Sequence, residues 1–446
     1  MDSSDRISDF NPASDTAYAE FARDLVASNI LGDPWIYGRE RFRLEPAVLS
    51  AGRYAALCSA AESLALAFDE AARLVAARPE LLESFYGLTP YQKLMWLRSE
   101  CRWHGIARLD LFVLPDGSIR CCEMNSDTPS GEAETVLLNR LRHRHHPGLI
   151  DPNASFEHRF VELVGAFLRA AHGRDGAGAT IAIVYPTDLP EDLSMIAIYR
   201  EWLESAGYSV TLGSPLNLSS RDGRVALFGR PVDGIIRHYK TDWWGERIPA
   251  WSDEDDYADP DPLDEPLRLL LDADADGRVA LINPFGSVLT QNKLTMALLW
   301  EHIDELSPAA AAAVRAWLPE TRRLVDIDAS TLERTEWVLK SDYGCEGDEV
   351  IIGAAVTDDI WRLSLERAIP GRWIVQRYFE AEREADLAIA NYGVYLLGGL
   401  AAGIYTRYSP TATDATALSA PTFIAPGDPA SETGAQALSI DQPRQR

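Results

Sequence analysis

The stretch RLDLFVLPDGSIRCCEMN, residues 108–125, decides how this chain is read. Its two arms, Arg108 to Leu114 and Ser118 to Asn125, alternate in character, and Pro115, Asp116 and Gly117 between them carry the turn chemistry of a β-hairpin. Residues two apart on a strand share a face. Arg108 and Asp110 therefore point one way from the first arm, and Glu123 and Asn125 share a face of the second. Two carboxylates and an amide oxygen beside an arginine suit one or two magnesium ions that also hold phosphate oxygens. The plain alternative is a solvated hairpin with an Arg–Asp surface pair.

Upstream, apolar residues recur at three- and four-residue spacing from Tyr54 to Ala77 and from Pro90 to Trp103 behind the cap candidate Thr89, so 1–105 reads as a helical N-terminal region. Downstream, helices are expected over Glu132 to Leu141 and Phe156 to Ala171, which with the hairpin make a unit over 106–175. After the Gly-rich HGRDGAGA, the strand TIAIVYP, the helix DLSMIAIYREWLESAG and the strand YSVTLG form a βαβ unit. VDGIIRHY and RVALINPF read as further strands of an α/β subdomain over 176–290. Within it, residues 252–266 read as a solvated acidic loop. Asp272, Asp274, Asp276 and Gly277 spell the opening of a calcium loop, but Asn283 stands where a bidentate Glu is needed, so calcium is not expected.

The last unit, 291–425, holds a helix from Lys293 to Leu306, an Ala-rich one from Pro308 to Trp317 and one from Asp358 to Ala368. Its strands are WVLKS, VIIG, RWIVQRYF, YGVYLLGG and AAGIYTRYSP. Lys340 ends an apolar strand just before the Gly-bearing turn DYGCEGDE, and Lys293 opens a helix whose free amides favour an anion. Beyond about Thr411 the composition signals weak order, and 426–446 reads as a disordered tail. The fold class is α/β (α+β) with mixed sheets.

Forty-two basic against 68 acidic residues leave a net charge of −26, which repels nucleic acid. The same field attracts a cationic amine. The five cysteines, Cys345 among them, form no CxxC pair and are odd in number, as suits a reducing cytoplasm. The N-terminus lacks the basic and apolar blocks of a signal peptide, and no stretch has the roughly 20 apolar residues of a membrane helix.

Five segments in order, RLDLFVLPDGSIRCCEMNSDTPSGEAET, NPFGSVLTQNKLTMALLWE, WVLKSDYGCEGDEVIIG, RWIVQRYFE and YLLGGLAAGIYTRYSP, resemble the glutathionylspermidine synthase family, a branch of the ATP-grasp ligases. The resemblance implies an ATP-grasp-type fold in which Asp110, Glu123 and Asn125 hold magnesium, with two ions expected. It implies that Arg108 stabilises an acyl phosphate and its oxyanion, and that Lys293, Lys340 and Arg407 bind the phosphates of ATP. Gly344 and Gly347 would lie in the nucleotide loop and Gln376 near the adenine. Thr128, Ser130 and Thr241 would bind substrate. Cys345 stands where better-known members carry an Arg that contacts glutathione, and a neutral thiol cannot form a forked pair with a carboxylate, so a different acid is expected. The expected activity is ADP-forming ligation of a small-molecule or peptide carboxylate to an amine, a polyamine being one admissible amine. The alternative is a nucleotide- or peptide-binding homologue that has lost the chemistry.

Overall fold

The computed structural model describes residues 16–426 except 174–175, 188, 190–191, 246–247, 256–262, 345–348, 412 and 414–415. After helix α1 (Thr16–Ala27), helix α2 (Ala51–Ala77) starts where the Ser50 side chain accepts from the Arg53 amide. Leu57, Ala60, Ala61, Leu64, Phe68, Ala71, Ala72 and Val75 line its buried face, and the small residues among them let the Ala-rich helix Pro308–Trp317 approach closely. Helix α3 (Pro90–Arg98) begins in a capping box between Thr89 and Gln92. It stops short of the expected Trp103. The Ser99 hydroxyl takes the Met95 carbonyl at 2.6 Å, and Glu100 and Cys101 then adopt left-handed backbone that a helix cannot contain.

The hairpin forms as expected from β1 (Ile106–Val113) and β2 (Ile119–Asn125). Asp110 lies opposite Glu123 and Arg108 opposite Asn125, with a register shift just beyond Asp110. Helices α4 (Glu132–His143) and α5 (Phe156–His172) follow these strands in the chain. The two strands form one edge of a five-stranded sheet whose other members lie between Ile389 and Ala420.

The next unit is the expected parallel sheet. Strands β3 (Thr180–Val184) and β4 (Ser209–Gly213) flank helix α6 (Leu193–Ser205) in sequence. A small meander over 218–231, absent from the sequence reading, leads to β5 (Gly234–Arg237). Helix α7 (Asp264–Ala275) and β6 (Ala280–Ile282) complete the unit, with strand order β6-β5-β3-β4. Helix α7 corrects the reading of 252–266 as loop throughout, because it starts at Asp264; 256–262 lie outside the described residues. Asp272 and Asp274 are helical residues paired with Arg98 and Arg102.

Lys293 caps α8 (Leu294–Glu301), which ends before the expected Leu306 in a short 3₁₀ turn, and α9 (Pro308–Trp317) follows. Strands β7 (Thr321–Arg323), β8 (Trp337–Ser341), β9 (Val350–Ile352) and, after α10 (Asp358–Arg367), β10 (Trp373–Arg377) form an antiparallel sheet in the order β7-β10-β8-β9. Strands β11 (Ile389–Leu397), β12 (Leu400–Ser409) and β13 (Leu418–Ala420) finish the hairpin's sheet. The weak order expected beyond Thr411 is therefore corrected as far as Ile424, since Leu418–Ala420 and Thr422–Ile424 are paired strands with buried side chains. Of the tail read over 426–446, residues 427–446 lie outside the described residues. Among the described residues no helix is long and apolar enough to cross a membrane.

Candidate active site

Directly paired residues of an antiparallel ladder share a face, so the register alone gathers Arg108, Asp110, Glu123 and Asn125. Arg108 donates from Nε to Asp110 Oδ1 at 2.8 Å, and Arg407, reaching across from β12, donates to Oδ2 at 2.8 Å. Burial works against ionising Asp110, but Arg108 and then Arg407 outweigh it and hold its carboxyl below the usual range. Opposite Asp110 stands Gly393, where a Cβ would fall 2.8 Å from Arg108 Cδ, so the arginine needs glycine there to lie across the sheet.

The late lysines meet this face. Lys293 places Nζ 3.5 Å from Glu123 Oε2 and donates to the Gly344 carbonyl at 2.5 Å. Lys340 donates to the Cys122 carbonyl at 2.9 Å and to Gln376 Oε1 at 2.8 Å, and Gln376 is fixed in turn by donating to Thr321 Oγ1 at 3.1 Å. Lysines from chain regions some 170 and 220 residues after the hairpin thus lie against it. Gly347 and Cys345 lie outside the described residues.

Thr128 is half-buried and Ser130 exposed on the loop after β2. The Ser130 carbonyl accepts from Arg108 Nη1 at 2.5 Å and from the Tyr395 hydroxyl at 2.6 Å. Thr241 is buried, and its hydroxyl and amide both donate to Asp127 Oδ2, at 3.1 and 2.7 Å. Any substrate contact by that hydroxyl shares it with Asp127.

Sequence reasoning missed the groups that frame the site. Asp127 also accepts from Arg237 at 2.5 Å and from Ser287 at 2.7 Å, a buried polar knot whose one signal was an arginine closing an apolar strand. Asn283, weighed above only as a failed calcium ligand, accepts from the Gly105 and Ile106 amides and donates to the Ile106, Ser126 and Asp127 carbonyls. Glu132, fully buried at the start of α4, was not singled out at all. His238 lies 3.2 Å from Asp192 beyond the carboxyl ends of β3 and β5, where the chain order of the parallel sheet reverses. Such a switch point is the usual ligand crevice of an open α/β sheet.

Among the described residues no three His, Cys, Asp or Glu side chains cluster as for a metal, so the candidate set is two carboxylates and the Asn125 amide. Those residues fit magnesium. Glu123 is a quarter exposed with Lys293 its one ion-pair contact among the described residues, and the carboxylate oxygens and the Asn125 amide oxygen are hard donors of the kind magnesium takes. A cavity of about 420 Å³ is lined by Leu114, Arg120, Trp300, Arg377, Tyr378 and Phe379 among others. It begins one residue past Gln376 and does not include the lysines.

The fold is mixed α/β and ATP-grasp-like, with the acidic face of one antiparallel sheet meeting Lys340 of another and Lys293 at the start of α8. The chain belongs to the glutathionylspermidine synthase family, a family of peptide or amide ligases: the model described as glutathionylspermidine synthase preATP-grasp matches residues 49–425. A glutathione synthetase-like effector from Globodera pallida, solved in its apo form, has a similar fold with a TM-score of 0.59 at 12% identity, over 91% of this chain and 96% of that one. A protein described as γ-glutamylcysteine synthetase-like from Methylobacillus flagellatus matches with a TM-score of 0.46 at 13% identity, over 79% of this chain and 84% of that one. None of the curated proteins matches the chain.

Proposed function

We propose that this chain is an ATP-dependent, ADP-forming ligase that activates a carboxylate as an acyl phosphate and passes the acyl group to an amine. The observation that carries the reading is the meeting of Glu123 with Lys293 and of Asp110 with Arg407. These pairs unite hard oxygen donors and phosphate-binding cations in one space, and phosphoryl transfer demands both.

Asp110, Glu123 and Asn125 would hold magnesium, which when bound neutralises charge on the phosphates. Lys293 and Lys340 bind the phosphates as point charges. Gln376, held between Lys340 and Thr321, would lie near the adenine. Arg108, anchored to Asp110 and to the loop of Thr128 and Ser130, aims its positive charge at the acid. There it favours the oxyanion that forms when the amine attacks and phosphate leaves. The crevice of Asp192 and His238 offers one place for the distal cationic end of an amine. A peptide or other acid in place of glutathione fits the Cys345 departure.

Phosphate release from Mg-ATP across a panel of acids and amines tests the reading. Turnover that depends on one acid and one amine and disappears in Glu123→Gln supports it. Mg-ATP binding by calorimetry with no turnover on any pair replaces it with the non-catalytic alternative.

A further inference from the structure

Glu132 is a carboxylic acid with no counterion at contact distance among the described residues. Its side chain is fully buried at the first turn of α4, Oε1 accepts from the Tyr199 hydroxyl of α6 at 2.7 Å, and Oε2 has no hydrogen-bond partner among the described residues. The groups that face it are Arg108 from β1, Tyr199 from α6, Tyr395 from β11 and Glu134 from its own helix. Just before it, Gly131 has φ +101°, and a Cβ there would fall 2.7 Å from the Tyr405 ring and 3.1 Å from the Tyr395 hydroxyl. The loop of Thr128 and Ser130 is thus pinned from one side by Arg108 and Tyr395 and from the other by Glu132 and Tyr199.

We infer that Glu132 is a positioning residue: as a neutral acid it latches α6 of the parallel-sheet unit to the Thr128–Ser130 loop and leaves the charge of Arg108 undivided for the site. An ionised Glu132 would be a second carboxylate competing with Asp110 for that arginine, and would set negative charge behind the phosphates. Burial, offset in part by the Tyr199 hydrogen bond, pushes the Glu132 carboxyl up to about 8, so the latch is neutral at physiological pH and takes on charge in mild alkali. The role of Arg108 rests on the ligase reading above. The protonation state of Glu132 does not.

Two measurements on the full chain test the inference separately. In the first, urea unfolding of wild type and Glu132→Gln is followed from pH 5 to pH 9. An acid whose folded pKa is raised contributes stability that is lost as pH rises through the folded value, so the variant gains on the wild type up to about pH 8 and then holds level. A difference that stays flat across the range overturns the neutral acid. In the second, calorimetry with Mg-ATP compares affinities at pH 6.5 and pH 9. Wild type and Glu132→Gln bind alike at the lower pH, and the wild type binds about fivefold more weakly at the higher. Tyr199→Phe, which removes one hydrogen bond to the charged form and keeps the ring, moves the wild-type loss to higher pH. A constant affinity ratio between wild type and Glu132→Gln at both pH values overturns the link to Arg108. Absence of Mg-ATP binding by the wild type at pH 6.5 overturns the ligase reading and leaves the unfolding series to decide Glu132.

Discussion

At Asp110 a buried acid meets one buried arginine, Arg108, and one partly buried, Arg407, and the balance depends on all three. Asp110→Ala leaves Arg108 and Arg407 without their carboxylate, and we expect a loss of about 3–5 kcal/mol in urea unfolding at neutral pH. The folded pKa of Asp110 is depressed, so its contribution is full above the ordinary carboxylate range and is lost as pH falls through the lower folded value. The deficit of the variant therefore persists through mild acid. Lys340→Met has the opposite profile: the fold keeps most of its stability, while on the proposed ligase function phosphate release falls about 10²–10³-fold because the charge proposed to meet the developing phosphate is gone. At this scale the sequence was informative about residue type and face. Strand alternation alone paired Arg108 with Asp110 and Glu123 with Asn125, and the register then set Asp110 against Glu123. It was silent on Glu132, whose peculiarity is full burial with one carboxyl oxygen unpartnered among the described residues, in a side chain of an ordinary surface type.

The elements were legible where a local signal stood behind them. Thr89 and Gln92 spell a capping box, and Thr89→Ala should cost about 1 kcal/mol, read as a shift of the urea midpoint at unchanged slope. The end of the same helix was misread because Ser99 stops it by a hydrogen bond to Met95, a contact that competes with helix in any sequence and wins only in context. Helix α7 was hidden by the acidic composition of its approach, although Leu267, Leu270 and Leu271 are buried on one face. The turn between the Ser130 loop and α4 depends on one glycine. Gly131→Ala meets both a positive φ and the Tyr405 ring, and we expect about 1–3 kcal/mol of destabilisation together with weaker Mg-ATP binding, because Arg108 is tied to the adjacent carbonyl.

Across the whole molecule, Asn283 is the point where the hairpin, its following loop and the parallel sheet are tied together. Asn283→Ala orphans two amides and three carbonyls in buried surroundings, so a loss of about 3 kcal/mol or more is expected by chemical denaturation. The same variant should weaken Mg-ATP binding without touching a proposed ligand, since Asn283 holds the backbone on either side of the hairpin. What the sequence determined by itself was the set of elements with strong periodicity or turn chemistry and the identity of the charged residues, because those depend on neighbours a few positions away. The tertiary structure alone decided that strands near residue 110 and residue 400 share one sheet, that Lys293 meets Glu123, and that Glu132 has an unpartnered oxygen. Each of those facts depends on which surfaces are brought together across hundreds of residues, and such long-range packing leaves no period in the chain.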